Sequence, residues 1–177
     1  MLCWFIKRIA EKSVRLFRYI ELRAFYRPKG FVNILGKVYL DNPNIQFGRN
    51  VTVFPNVHIF GLGKVTLGDN VSIGDGTIIC AAQDIVIGKN TMIAAQCYII
   101  DCNHGMHLCV GGMREQPLSI HPPKIGEDVW LGCGCKILAG AEISDGAVIG
   151  AGTVISGKVE ENTICFTRRE YCEKARK

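Results

Sequence analysis

The sequence predicts an all-β protein built as a single parallel coil with three flat sides. Three observations lead there. From residue 47 an apolar residue recurs at six-residue steps, at Phe47, Val53, Ile59, Leu67, Ile73, Ile79, Ile87, Ile93 and Ile99, and again at Ile125, Leu131, Ile137, Ile143, Ile149 and Ile155. The fifth residue of each uninterrupted hexad is small or β-branched: Val51, Val57, Val71, Thr77, Thr91, Cys97, Val129, Cys135, Ala141, Ala147, Thr153 and Val159. The breaks are regular too, with steps of eight at 59→67 and 79→87 and of 26 at 99→125, each after a third hexad. A helix repeats its faces about every 3.6 residues and produces no such period; short strands joined by tight corners do. Three hexads therefore close one turn, and all three insertions leave from one corner.

The elements follow in order. Residues 1–28 read as a helix, with Leu2, Phe5, Ile6, Ile9, Leu16, Phe17 and Ile20 near one face and Pro28-Lys29-Gly30 as its stop. Lys7, Arg8, Lys12, Arg15, Arg18, Arg23 and Arg27 face only Glu11 and Glu21 here, so this segment holds the whole net charge of +5 and the remainder is balanced. Two readings stand for it: a cap and subunit-packing helix, or a peripheral contact of residues 1–24 with an anionic membrane surface. Residues 29–46 are a worn first turn. The coil then runs to residue 160, interrupted by a long loop at 101–124, and residues 161–177 lack the hexad and form a C-terminal cap or tail. Opening and fifth residues point inward and stack on their copies one turn away, about 4.8 Å apart. Glycine after the opening residue at 48, 68, 74, 88, 126, 132 and 150 suits a corner where a side chain would obstruct the backbone.

Composition narrows the class. A chain of 177 residues, 48% hydrophobic and 21% charged with 20 Gly and 6 Pro, is one globular domain and neither disordered nor collagen-like. No apolar run reaches the roughly 20 residues of a spanning helix, and Met1–Phe5 is too short for a secretory signal, so a cytoplasmic location is expected. Nine cysteines without a CxxC pair read as reduced thiols, with no metal expected. The basic helix lacks a nucleic-acid reading motif and the body is charge-neutral, so no nucleic-acid partner is expected.

This pattern resembles the hexapeptide-repeat acyltransferases over residues 30–165, closest to the O-acetyltransferases of bacterial polysaccharide assembly and the maltose and galactoside acetyltransferases. The resemblance implies a left-handed parallel β-helix, a triangular prism whose hand the periodicity does not supply. It implies acetyl-CoA as co-substrate, a sugar or glycan acceptor, a homotrimer, and transfer to a hydroxyl, with N-acetylation of an amino sugar as the alternative.

The site residues come from the same comparison. Ile99-Ile100-Asp101-Cys102-Asn103-His104-Gly105 is similar to the family segment that carries a catalytic His, which makes His104 the base; Gly105 stands where Pro is frequent. A neutral imidazole takes a proton from a sugar hydroxyl, a poor nucleophile near neutral pH. Asp101, three residues earlier, could hold its other nitrogen, with Glu115 second; the plainer reading makes His104 a loop residue and Asp101 a turn former. Val129-Trp130-Leu131-Gly132 matches the family's return from the loop, which gives the Cys133 amide the oxyanion and Trp130 a contact beside acceptor or CoA. Ala151 lies eighteen residues after Cys133, and Gly132 likewise over Gly150, a small-residue corner fit for a pantetheine arm. Ser156 matches a CoA-contacting position. The chain departs at Gly157-Lys158 and after Thr163, where Lys158, Arg168 and Arg169 are candidates for the nucleotide phosphates on charge alone. The prism also supports γ-class carbonic anhydrases, but of His58, His104, His107 and His121 no pair has that class's spacing of five. A non-catalytic scaffold is the other alternative.

Overall fold

The computed structural model describes residues 13, 16, 17, 19–168, 173 and 174. Its short parallel strands stack into three faces. Face A holds Val32–Ile34, Val51–Val53, Ser72–Ile73, Met92–Ile93, Trp130–Leu131, Val148–Ile149 and Ile164–Cys165. Face B holds Tyr39–Asp41, His58–Phe60, Ile78–Cys80, Tyr98–Ile100, Lys136–Ile137 and Val154–Ile155; face C holds Ile45–Phe47, Lys64–Leu67, Asp84–Ile87, Lys124–Ile125, Glu142–Ile143 and Lys158–Val159. The turns stack in register, so Val53, Ile73, Ile93, Leu131 and Ile149 form one interior column. This is the left-handed parallel β-helix of the acyltransferases.

Each opening and fifth residue named above is buried. The strands alternate inward and outward side chains, and inward apolar positions one turn apart meet without a polar atom between them. At two of the three fifth positions held by Thr the hydroxyl finds a carbonyl at the corner: Thr77 donates to Ala94 O at 3.1 Å and Thr91 to Gly126 O at 3.0 Å, while the Thr153 hydroxyl accepts from Thr167 N at 3.2 Å. The corner from C to A is turned by left-handed residues, among them Asn50, Asn70 and Asn90, whose side-chain amides donate one to the next. Asn tolerates that conformation better than other side chains.

The first turn is complete despite its eroded hexad, with a strand on each face. The other end departs from the count. Hexad counting makes Val159 a fifth residue, but it pairs with Ile143 and so takes the opening position; Cys165 then pairs with Ile149. Only Ser156 and Gly157 turn the corner from Val154–Ile155 to Lys158–Val159. A buried Val fits either role, so the period alone could not reveal the shortening. Strand Ile164–Cys165 begins a further turn, five residues beyond the boundary expected at 160.

The described residues of the N-terminal segment are helical at 13, 16, 17 and 19–26. Leu22 joins the core, and the Tyr26 hydroxyl donates to Leu40 O at 2.9 Å while its ring meets Phe47 edge-on. The helix therefore covers the open end of the first turn, with a stripe other than the expected one. Leu16, Phe17 and Ile20 are 60%, 69% and 58% exposed. Leu2, Phe5, Ile6 and Ile9 lie outside the described residues. No described helix is long and apolar enough to cross a membrane.

Candidate active site

The long insertion leaves face B after Ile100 and rejoins face C at Lys124. Its root is an antiparallel ribbon pairing Cys102 with Ile120 and Asn103 with Ser119. His121 N donates to Asp101 O at 2.8 Å, and Gly140 N to His121 O at 2.6 Å, which fastens the returning strand to the turn beyond. His104 is the next residue out, exposed at the mouth of the ribbon, and its imidazole has no hydrogen-bond partner among the described residues.

Gly105 has a local cause. The Gln116 side chain crosses beside it to clip His107, accepting from His107 N at 3.1 Å and donating to His107 O at 2.7 Å. A Cβ at Gly105 would stand 2.6 Å from Gln116 Oε1. Gln116 thus holds the chain on the far side of His104, a role its spacing in the sequence does not betray. Glu115 ends a short 3₁₀ turn, Met113–Glu115, and is exposed. The tip of the loop is apolar and open, with Leu108 and Val110 fully exposed beside Met106 and Met113.

Asp101 differs from the expectation that it holds the imidazole. It is fully buried, and its carboxylate accepts from the backbone of the turn below: Ala82 N at 2.8 Å, Gln83 N at 2.7 Å and Asp84 N at 3.1 Å. Both oxygens are occupied, so Asp101 fixes the corner from which the loop departs. Near it, burial first and then the neighbouring Cys102 and Asp101 push the Cys80 thiol up to about 11.

The small-residue corner lies elsewhere, between faces A and B. Gly132 N donates to Ile149 O at 2.7 Å and Gly150 N to Cys165 O at 2.8 Å. A Cβ on Gly132 would stand 2.6 Å from Ala151 N, so this close approach requires glycine. Cys133 is exposed, its carbonyl accepts from Gly152 N at 2.8 Å, and its own N–H donates to no acceptor among the described residues. Nor does the N–H of Ala151. Trp130 points outward on the adjoining face A, 49% exposed, between Met92 and Val148.

The structure thus brings Trp130, Gly132, Cys133, Gly150 and Ala151 together. Within one chain it keeps His104 apart from them, because face B separates the corner that launches the loop from the corner that holds Cys133. Ser156 is exposed on the loop's side, in the shortened corner, and Lys158 pairs with Glu160 at 3.0 Å. Arg168 is exposed; Arg169 lies outside the described residues.

A coil of hexads names no reaction by itself; the comparisons place this one among transferases. Residues 122–157 match the bacterial transferase hexapeptide model of six repeats. The chain belongs to that family. It is 33% identical over 162 residues to WbbJ of Escherichia coli K12, provisionally named a lipopolysaccharide biosynthesis O-acetyl transferase, with 85% of this chain and 82% of that protein covered. Among solved structures it is similar to a maltose O-acetyltransferase from Clostridium difficile 630, at TM-score 0.51 and 26% identity, covering 82% of this chain and 67% of the other. The N-acyltransferase AntD from Bacillus cereus, in complex with dTDP and 3-hydroxybutyryl-CoA, shares the fold at TM-score 0.70 and 20% identity, covering 88% and 86%.

Proposed function

We propose that this chain is an acetyl-CoA-dependent O-acetyltransferase that modifies a sugar hydroxyl in bacterial polysaccharide or glycan assembly. The observation that carries the reading is His104, an unengaged imidazole held at the mouth of the ribbon on the one long insertion. Its basic nitrogen takes the acceptor's hydroxyl proton as that oxygen bonds to the thioester carbonyl carbon. The charge that develops on the carbonyl oxygen meets the uncommitted Cys133 N–H. The C–S bond then breaks, the imidazolium returns its proton to the departing sulfur, and a sugar ester and free CoA result. The pantetheine arm lies along the corner at Gly132, Gly150 and Ala151 beside Trp130, with Arg168 toward the nucleotide; Ser156 and Lys158 stand a face away, on the loop's side, and do not reach the arm of the same chain. Asp101 supports this site from behind rather than touching the base.

The catalyst is a homotrimer in this reading. His104 and Cys133 stand a face apart in one chain, and the loop tip presents Leu108 and Val110 to no surface of its own. A neighbouring prism brings its face A, with Trp130 and Cys133, to the first chain's loop, so the site is built between subunits. Face C, with the Lys124–Glu142 and Lys158–Glu160 ion pairs, stays in water. Acetyl-CoA is a cytoplasmic metabolite, which puts the reaction in the cytoplasm, on the inner side of the membrane.

The test is product mass spectrometry with acetyl-CoA and a panel of sugars, nucleotide sugars and lipid-linked glycans. An acetyl ester is expected, with His104→Ala lowering turnover by about 10²–10⁴ while CoA still binds. An acetamide product, or a folded His104→Ala variant of normal activity, overturns the reading.

A further inference from the structure

The helix at the start of the chain carries two apolar stripes, and the coil uses one. Tyr19, Leu22 and Tyr26 share the inner side, where Leu22 is buried and Tyr26 bonds Leu40 O. Leu16, Phe17 and Ile20 fall roughly 140° round the helix from them, at about 100° per residue, and stand open with Phe25. The same segment holds seven bases against two acids, the chain's entire net charge. Arg23, Arg27, Lys29 and Lys37 are exposed at this end of the prism, against Glu21 and Asp41.

We infer that this end is a docking surface for an anionic lipid bilayer, with Leu16, Phe17 and Ile20 entering the headgroup boundary and the bases meeting lipid phosphates. An apolar stripe flanked by cations binds a membrane surface when shallow burial and charge attraction act together, each weak alone. A protein groove would cover the stripe equally well, but it would not call for an excess of five positive charges confined to this segment. The trimer proposed above deepens the argument. Three prisms side by side around one axis put three such helices at the same end, so one flat anionic surface engages all three at once, with the gain that multivalency gives. The loop root lies three turns along from the first turn, about 14 Å at the spacing of adjacent strands. An acceptor sugar carried on a membrane lipid is within that reach, whereas the tip of the prism farthest from the helix stays in the cytoplasm.

The experiment is flotation of the full chain with vesicles of phosphatidylcholine alone or mixed with phosphatidylglycerol, at about 0.1 M and about 0.5 M salt. It is repeated with the combined variant Leu16→Ser, Phe17→Ser and Ile20→Ser, whose positions are all exposed, and each sample is sized by light scattering. Binding to the anionic vesicles only, weakened at least about tenfold by the higher salt and by the variant, with oligomeric state unchanged, is the expected result. No flotation with phosphatidylglycerol, flotation the variant does not reduce, or a variant that falls to monomers each overturns it, the last by making the stripe a subunit contact. Since none of these readouts involves acetyl transfer, failure here is distinct from failure of the proposed reaction.

Discussion

At the scale of single residues, Asp101 fastens the loop's departure point by accepting three amides from the turn below. Hydrogen bonds to a charged acceptor are worth more than neutral ones, and the amides left behind would be poorly satisfied, so Asp101→Ala should cost on the order of 3 kcal/mol in urea unfolding. Asp101→Asn should recover part of that stability, because one oxygen remains to accept. Were Asp101 the partner of His104, either variant would cut turnover while stability held. The spacing of Asp101 and His104 in sequence suggested that partnership; what it could not show is a corner one turn below that offers three backbone donors. The cysteines give a second test. Cys109 and Cys133 are exposed, whereas Cys97, Cys102 and Cys135 are buried and the Cys80 thiol is held up near 11 by burial. Alkylation at pH 8 followed by peptide mapping should mark Cys109 and Cys133 first. A thiol whose pKa is raised by folding stabilises the fold below its unfolded pKa of about 8.5 and loses that contribution as pH climbs toward 11, so unfolding midpoints should decline across that alkaline window.

At the scale of elements, the ribbon at the loop's root separates the proposed catalytic segment from the stability of the coil. The coil is tied together by ladders between successive turns, and the loop beyond Asn103 and before Ser119 contributes to none of them. Replacing residues 104–118 with Asn-Gly, a two-residue turn that closes such a ribbon, should leave the circular-dichroism spectrum and melting midpoint close to those of the parent and abolish acetyl transfer. Gln116→Ala is the finer version: it releases the clip on His107 and should lower turnover with little change in melting. The hexad made the coil and the insertion legible, since an interior column of Ile and small residues has no other use for that period; His104 within the insertion was singled out only by the resemblance of residues 99–105 to the family's segment. The C-terminal corner was not legible, because Val159 satisfies two positions at once and only its pairing with Ile143 decides between them. The helix was legible as a helix, but its buried stripe is set by Leu22 and Tyr26, two residues outside the apolar series that the period picked out.

At the scale of the whole molecule, a lone prism leaves the two halves of the proposed site on different corners and an apolar loop tip in water. Light scattering of the pure protein should give three times the chain mass, and mixing a His104→Ala chain with a chain carrying Cys133→Pro, which lacks the N–H proposed to meet the oxyanion, should restore part of the activity that neither has alone. Such complementation requires sites shared between subunits. The coil also keeps its departures from six in one place. From Leu40 to Phe47, Ile59 to Leu67, Ile79 to Ile87, Ile99 to Ile125 and Ile155 to Val159, each change of step falls at the corner between faces B and C, while the other two corners hold their length. That corner works as an expansion joint: chain can be added or removed there without moving a single interior column. Descent with modification in such a molecule has a cheap path, in which the acceptor is exchanged by rewriting one excursion and the frame that holds the coenzyme is inherited untouched.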